Sequence, residues 1–180
     1  MEHTALLIID IINDFQFKHG ETLAQKTAII SSNILKWKKY MQSKNLPIIY
    51  VNDHYKLWQA DYNKIIEKCN NPLSEKIIRE LRPEMDDYFL IKPKHSAFFG
   101  TALHTLLSQL EVKNLVLTGI AGNICVLFTA NDAYMRELQL IIPRDAIAST
   151  DEEDNEYAIT MMQNVLKASI VTTDEYLNEL

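Results

Sequence analysis

The sequence predicts an α/β fold: a three-layer α/β/α, Rossmann-like arrangement with a six-stranded, mostly parallel sheet in the order 3-2-1-4-5-6. Three observations carry that prediction. Apolar runs of strand length recur along the chain, and helical patterns separate them. Several of these runs are continuous rather than alternating, as expected of strands buried on both faces. Each run stops at a polar or turn residue, at the sheet edge where ligands bind in folds of this kind.

The first strand is the run Ala5-Leu6-Leu7-Ile8-Ile9, stopped by Asp10. Apolar residues Ala28, Ile29, Leu35 and Trp37, with lysines between them, predict one long helix from about Thr22 to Ser43. Asn45-Leu46-Pro47 ends it, and Ile48–Val51 is the second strand, closing at Asn52-Asp53-His54. Residues 55–86 hold two short helical patterns, Tyr62–Lys68 and Ser74–Leu81, broken by Asn70-Asn71-Pro72 and Pro83. This is more chain than a plain crossover needs, and such insertions often cover a site. Tyr88–Ile91 is the third strand, stopped by Lys92-Pro93, and Thr101–Leu110 is a helix with leucines on one face. Leu115–Leu117 opens the fourth strand and its helix, Leu138–Ile142 is the fifth strand, and Glu156–Leu166 is a helix. Ala168–Thr172 is the sixth strand, and Thr173–Leu180 a short terminal helix.

Composition narrows the functional classes. The 180 residues fit one domain, 1–180, and 47% hydrophobic content suffices for a large core. A net charge of −6 leaves no basic face, which argues against nucleic acid and anionic membrane as partners. The acidic cluster Asp151-Glu152-Glu153-Asp154 precedes a helical pattern and suits a helix N-terminus. Two cysteines, Cys69 and Cys125, fit a reducing compartment rather than a disulfide scaffold. No apolar run approaches a membrane span of about 20 residues. Met1-Glu2-His3-Thr4 runs straight into a strand, so no signal peptide is expected and the cytoplasm is the expected location.

Chemistry concentrates in Asn114–Met135, NLVLTGIAGNICVLFTANDAYM. A buried strand ends in Thr118, turns through Gly119-Ile120-Ala121-Gly122, and enters a helical pattern with Cys125 in its first turn. Two of the chain's four glycines fall in that turn, where the backbone must bend or be approached closely. The start of a helix favours thiolate over thiol. Asp10 and Lys92 close two other strands on the same rim. A lysine cation can stabilise a thiolate, and a carboxylate can take the thiol proton and return it to a leaving group. A lone charge at a strand end is often only the point where the chain meets water. Asp10, however, lies between Ile9 and Ile11 in an apolar stretch, where a carboxylate needs a partner.

Three stretches resemble the isochorismatase-like cysteine hydrolases, a superfamily that includes nicotinamidases and N-carbamoyl amidohydrolases. Leu6–Phe15 is similar to its apolar strand followed by D-x-Q-N-D-F. Lys92–Leu103 is similar to K-x-x-x-S-A-F-x-x-T-x-L. Gly119–Val126 with Thr129-Ala130 and Asp132-Ala133 is similar to G-x-x-T-x-x-C-V-x-x-T-A-x-D-A. The resemblance implies Asp10 as base, Lys92 as thiolate-stabilising cation and Cys125 as nucleophile. It also implies a cis peptide between Ile120 and Ala121, with the N–H groups of Ala121 and Cys125 forming an oxyanion hole. Homodimers or homotetramers are common in the superfamily.

Two positions depart from the pattern: Ile12 replaces the usual glutamine, and Gly122 the usual threonine. Nicotinamidases carry an Asp-x-His ligand pair after the second strand, whereas here His54 directly follows Asp53. Adjacent residues of an extended chain point to opposite sides, so no metal and no other cofactor is expected. Phe15, Trp58 and Phe98 are expected to wall a pocket for a small-molecule substrate. The favoured reaction is hydrolysis of a small amide, ureido or imide C–N bond through a thioester on Cys125. The alternatives are vinyl-ether hydrolysis of the isochorismatase type, whose known members lack the cysteine, and a binding protein that retains only the fold.

Overall fold

A computed structural model of the chain describes residues 2–179. At its centre lies β1 (Thr4–Ile9), buried along its whole length. On one side it pairs in parallel with β2 (Ile48–Asp53), which pairs with β3 (Tyr88–Lys92). On the other it pairs with β4 (Asn114–Ile120), followed by β5 (Gln139–Pro143). Two further strands, β6 (Ile147–Ala148) and β7 (Ser169–Val171), complete a parallel sheet whose main path runs β3-β2-β1-β4-β5-β7. The expected order is present, with β7 as the strand read at Ala168–Thr172.

The short β6 is the addition. β5 pairs with β4 only over Asn114–Val116; the chain then turns through Arg144–Ala146 and re-pairs Ile147 and Ala148 with Gly119 and Ile120. A two-residue strand is too short to leave a period in the sequence.

The apolar strands split their side chains between two cores. Leu6, Ile8, Tyr50, Val116 and Ile120 face α1 (Gly20–Ser43), with Leu23, Ile34, Trp37 and Met41 packed in the same cluster. Ala5, Leu7, Ile9, Val51, Leu115 and Leu117 face the other way. They pack with residues of α4 (Leu103–Gln109), α5 (Leu127–Tyr134) and α6 (Glu152–Asn164). Alternation across a strand explains how one continuous apolar run serves both layers. Ile29, read as part of the apolar pattern of α1, is exposed, and Ile30 takes the core position.

The inserted segment forms α2 (Tyr62–Cys69) and α3 (Glu75–Leu81), and α7 (Thr173–Asn178) ends the fold. Asp151 caps α6 by accepting the N–H of Asp154 at 3.0 Å, so the acidic cluster is that helix's cap and first turn, four residues before the expected start. Because β1 to β4 are parallel, the residues that leave their carboxyl ends meet on one rim: Asp10, Asp53, Lys92 and the turn after Ile120.

Candidate active site

Asp10 leaves β1 in the left-handed region, with φ of 51°, a conformation aspartate tolerates better than bulky residues do. Its N–H donates to Val51 O at 3.1 Å, and its Oδ1 accepts the N–H of Asp53 at 2.9 Å. Oδ2 meets Lys92 Nζ at 2.8 Å. Lys92, only 3% exposed, ends β3 two strands away and reaches back across β2. An ammonium has three donors, and here they have three partners: Asp10, Lys94 O at 3.0 Å, and Cys125 Sγ at 3.6 Å. A buried charge is tolerated when it is paired and hydrogen-bonded, and both conditions are met.

The cysteine is delivered by the turn after β4. Gly119 has φ of 109°, and a Cβ built there would lie 2.1 Å from Ile9 O, so only glycine lets this turn sit against the end of β1. The Ile120–Ala121 peptide is cis. Gly122–Val126 then form one π-helical turn before α5, rather than the ordinary first α-helical turn expected, and Cys125 is its fourth residue. Ala121 O accepts the N–H groups of Ile124 and Val126, each at 3.1 Å. Such turns are rare and occur often at functional sites.

The second and third motifs are tied together by their polar residues. Thr129 Oγ1 donates to Cys125 O at 2.7 Å and accepts the N–H of Ala97 at 3.0 Å. Ser96 Oγ donates to the Asp132 carboxylate, which also holds Arg136 at 3.0 Å. The loop that follows Lys92 is thereby fastened to the helix that follows Cys125.

Charge in the site runs against one expectation. Burial first, and then the carboxylate of Asp10, push the Cys125 thiol from its ordinary 9.0 up to about 12, against the pull of Lys92. The resting group is therefore a thiol, not the thiolate that a helix start and a nearby lysine suggest. Burial pulls the Lys92 ammonium down, but attraction from Asp10 and Cys125 outweighs it and holds the lysine above its ordinary value. A carboxylate, an ammonium and a thiol sum to zero charge. Moving the thiol proton to Asp10 keeps that sum unchanged, while the ammonium still touches both ends.

The remaining candidates scatter. Phe15 and Phe98, expected as pocket walls, are core residues at 2% and 6% exposure, on opposite faces of the sheet. Their place beside charged motifs hid that each turns inward; Arg136 covers the Phe98 ring at 4.7 Å. Trp58 is exposed and stacks on the His54 ring at 3.9 Å, in the loop just beyond Asp53. Ile12 is fully buried in the α1-side core, so the departure from glutamine fills the core. The backbone of Ile12 is held by Asn52, which accepts its N–H at 3.1 Å and donates to its O at 2.9 Å. Asp145, another strand-end residue, accepts the N–H of Thr173 at 3.0 Å and so tethers α7.

Asp53 and His54 are occupied locally: Asp53 Oδ1 accepts the N–H of Tyr55 at 2.7 Å, and His54 Nδ1 that of Lys56 at 3.0 Å. Among the described residues, no group of three or more His, Cys, Asp or Glu is placed to hold a metal ion. His95 does join the site. Its Nδ1 lies 3.9 Å from Cys125 Sγ, and its ring leans on Phe128 at 5.6 Å between centroids. Its position three residues after Lys92 in the lysine motif was the only sequence signal for it.

The isochorismatase domain model matches residues 4–175. The chain belongs to the isochorismatase family. It is 58% identical to the uncharacterized isochorismatase family protein YaaI of Bacillus subtilis (strain 168), over 97% of each chain. It is 31% identical to the isochorismatase of the same organism, covering 97% of this chain but only 57% of that longer protein. Among solved structures, N-carbamoylsarcosine amidase from Thermoplasma acidophilum superposes with a TM-score of 0.73 at 28% identity, covering 95% of this chain and 96% of that one. Relatives with this fold are hydrolases, amidases among them.

Proposed function

We propose that this member of the isochorismatase family is a cysteine hydrolase that cleaves the C–N bond of a small amide, ureide or imide through a thioester on Cys125. The observation that carries this reading is the unbroken contact from Asp10 through Lys92 to Cys125, at 2.8 and 3.6 Å.

In this reading Cys125 Sγ attacks the substrate carbonyl carbon while its proton passes to Asp10. The new S–C bond pushes the carbonyl π pair onto oxygen. The N–H groups of Ala121 and Cys125 receive that oxyanion, a role the family resemblance implies. Asp10 then gives its proton to the departing nitrogen as the C–N bond breaks. A water molecule, deprotonated by Asp10, attacks the thioester carbon; the S–C bond breaks and the sulfur regains a proton. The raised thiol suits this order. Ionising Cys125 beside an ionised Asp10 would bury a second anion, whereas coupling attack to proton transfer avoids doing so.

Asp53 at the end of β2 and His54 just after it are engaged with their own loop, which supports catalysis without a bound metal. Two unpaired cysteines fit a reducing compartment, so residence in the cytoplasm is part of this reading. So is the homodimer or homotetramer implied by the resemblance, which sedimentation would test.

The experiment is turnover of a panel of small amides and ureides, with amine or ammonia release as readout and intact mass to find an acyl adduct on Cys125. An adduct that forms and decays at the turnover rate is expected. Turnover of a vinyl ether by a Cys125→Ala variant would overturn the thioester and favour the isochorismatase reaction. No turnover and no adduct across the panel would favour a binding protein.

A further inference from the structure

The turn that carries Cys125 is held from behind by a pair of buried polar residues that belong to none of the three motifs. The N–H of Asn123, two residues before the cysteine, donates to Ser149 Oγ at 3.0 Å. Ser149 in turn donates to Asn155 Oδ1 at 2.6 Å. Ser149 is 1% exposed and Asn155 5%. A hydroxyl can accept and donate at once, and here both capacities serve this one chain of bonds. The topology brings them there. β6 lies beside Gly119 and Ile120, so Ser149 leaves the sheet next to the turn, and Asn155 lies in the first turns of α6. A second link runs in parallel, from Asn123 Nδ2 to Asp154 at 3.4 Å.

Gly122 is the counterpart of this pair. A Cβ built on Gly122 would lie 2.3 Å from Asn155 Oδ1 and 3.0 Å from Ser149 Oγ. The space beside residue 122 is therefore already filled, by a hydroxyl and an amide supplied from another part of the chain. We propose that Ser149 and Asn155 are positioning residues for Cys125, holding its turn in register with Lys92 in place of a side chain at 122. This rests on the reading of Cys125 as the nucleophile. The reason for a functional consequence is the reach of the contact: Lys92 meets Sγ at 3.6 Å, and a small shift of the turn opens that gap.

The test uses the full chain and three variants: Ser149→Ala, Asn155→Ala, and Gly122→Thr combined with Asn155→Ala. The readout is the rate of iodoacetamide labelling at Cys125 by peptide mapping over a range of pH, with labelling of Cys69 and thermal melting followed alongside. Ser149→Ala is expected to slow Cys125 labelling about tenfold, the equivalent of one lost buried hydrogen bond, while Cys69 stays protected. Asn155→Ala is expected to slow it as well, and the added Gly122→Thr, which takes the space the amide leaves, to restore most of the rate. That rescue, seen in the pH dependence of Cys125 labelling and not in the melting temperature, is what a merely structural role would not give. Labelling of Cys125 at the parent rate in both single variants would overturn the proposal. So would slowing that follows the loss in melting temperature in all three variants alike. If Cys125 of the parent chain labels no faster than Cys69, the nucleophile reading itself is overturned, and the positioning role with it.

Discussion

Cys69 and Cys125 are pushed to the same acidity by different surroundings. Each thiol is raised from 9.0 to about 12, with burial as the largest cause. Cys69 ends α2 and is completely buried in the α1-side core, where the hydroxyl of Tyr55 is its favourable polar neighbour. Cys125 is half-buried, with an ammonium at 3.6 Å, an imidazole at 3.9 Å and the Asp10 carboxylate near enough to raise it. Resting acidity does not separate the two. What separates them is whether a proton acceptor and a cation stand ready as the sulfur reacts, and whether a reagent can reach it.

Cys125→Ser should lower turnover of a confirmed substrate by about 10³-fold or more, while Cys69→Ala leaves it within about twofold. Steady-state rates of the two variants check this, and equal losses would remove the distinction.

Asp10→Asn should act in opposite directions on two readouts. Turnover should fall by about 10²- to 10⁴-fold because the proton acceptor is gone. Alkylation of Cys125 at neutral pH should become faster, because an anion that raises the thiol has been removed while Lys92 remains. Cys69 should not change. Slower alkylation of the Asn variant would show that the carboxylate does not oppose ionisation of the sulfur.

Lys92→Met should slow Cys125 alkylation at every pH and leave Asp10 as an unpaired buried carboxylate. A loss of about 3–5 kcal/mol in urea unfolding is expected, as when one partner of a buried ion pair is removed.

Stability at alkaline pH depends on both thiols. Both thiols keep their protons longer in the folded chain than in the unfolded one, so the unfolded state binds fewer protons as pH rises above 9.0. Stability is fully present below that value and declines toward about 12. Urea midpoints measured up this range should fall less steeply in Cys69→Ala than in the parent. Exhaustive chelation should leave turnover unchanged, and a loss restored by a divalent ion would place this protein in the metal-dependent branch of the family.

The order of strands and helices was legible in the chain because each strand is a run of apolar residues and each stop is chemically marked. Asp10 and Lys92 were legible for the same reason: a polar group at the end of a buried strand has few places to go, and a parallel sheet gathers such ends on one rim. Cys125 was legible from the glycine-marked turn that precedes it. Side chains whose role depends on direction were not legible. Phe15 and Phe98 sit beside charged motifs yet turn into the core. Lys38 has the look of a solvated helix lysine, but it is buried against Asp87 at 2.8 Å and Arg82 O at 2.9 Å. The thiol's acidity also lay beyond the sequence, since it is a balance between burial, Asp10 and Lys92 that exists only once three distant segments meet. Ser149 and Asn155 carry no motif, and a two-residue strand that leaves no period in the sequence brings them to the turn of Cys125. Composition and periodicity are local properties and determine the elements. Contacts between residues far apart in the chain depend on the packing of those elements, and only the folded structure decides them.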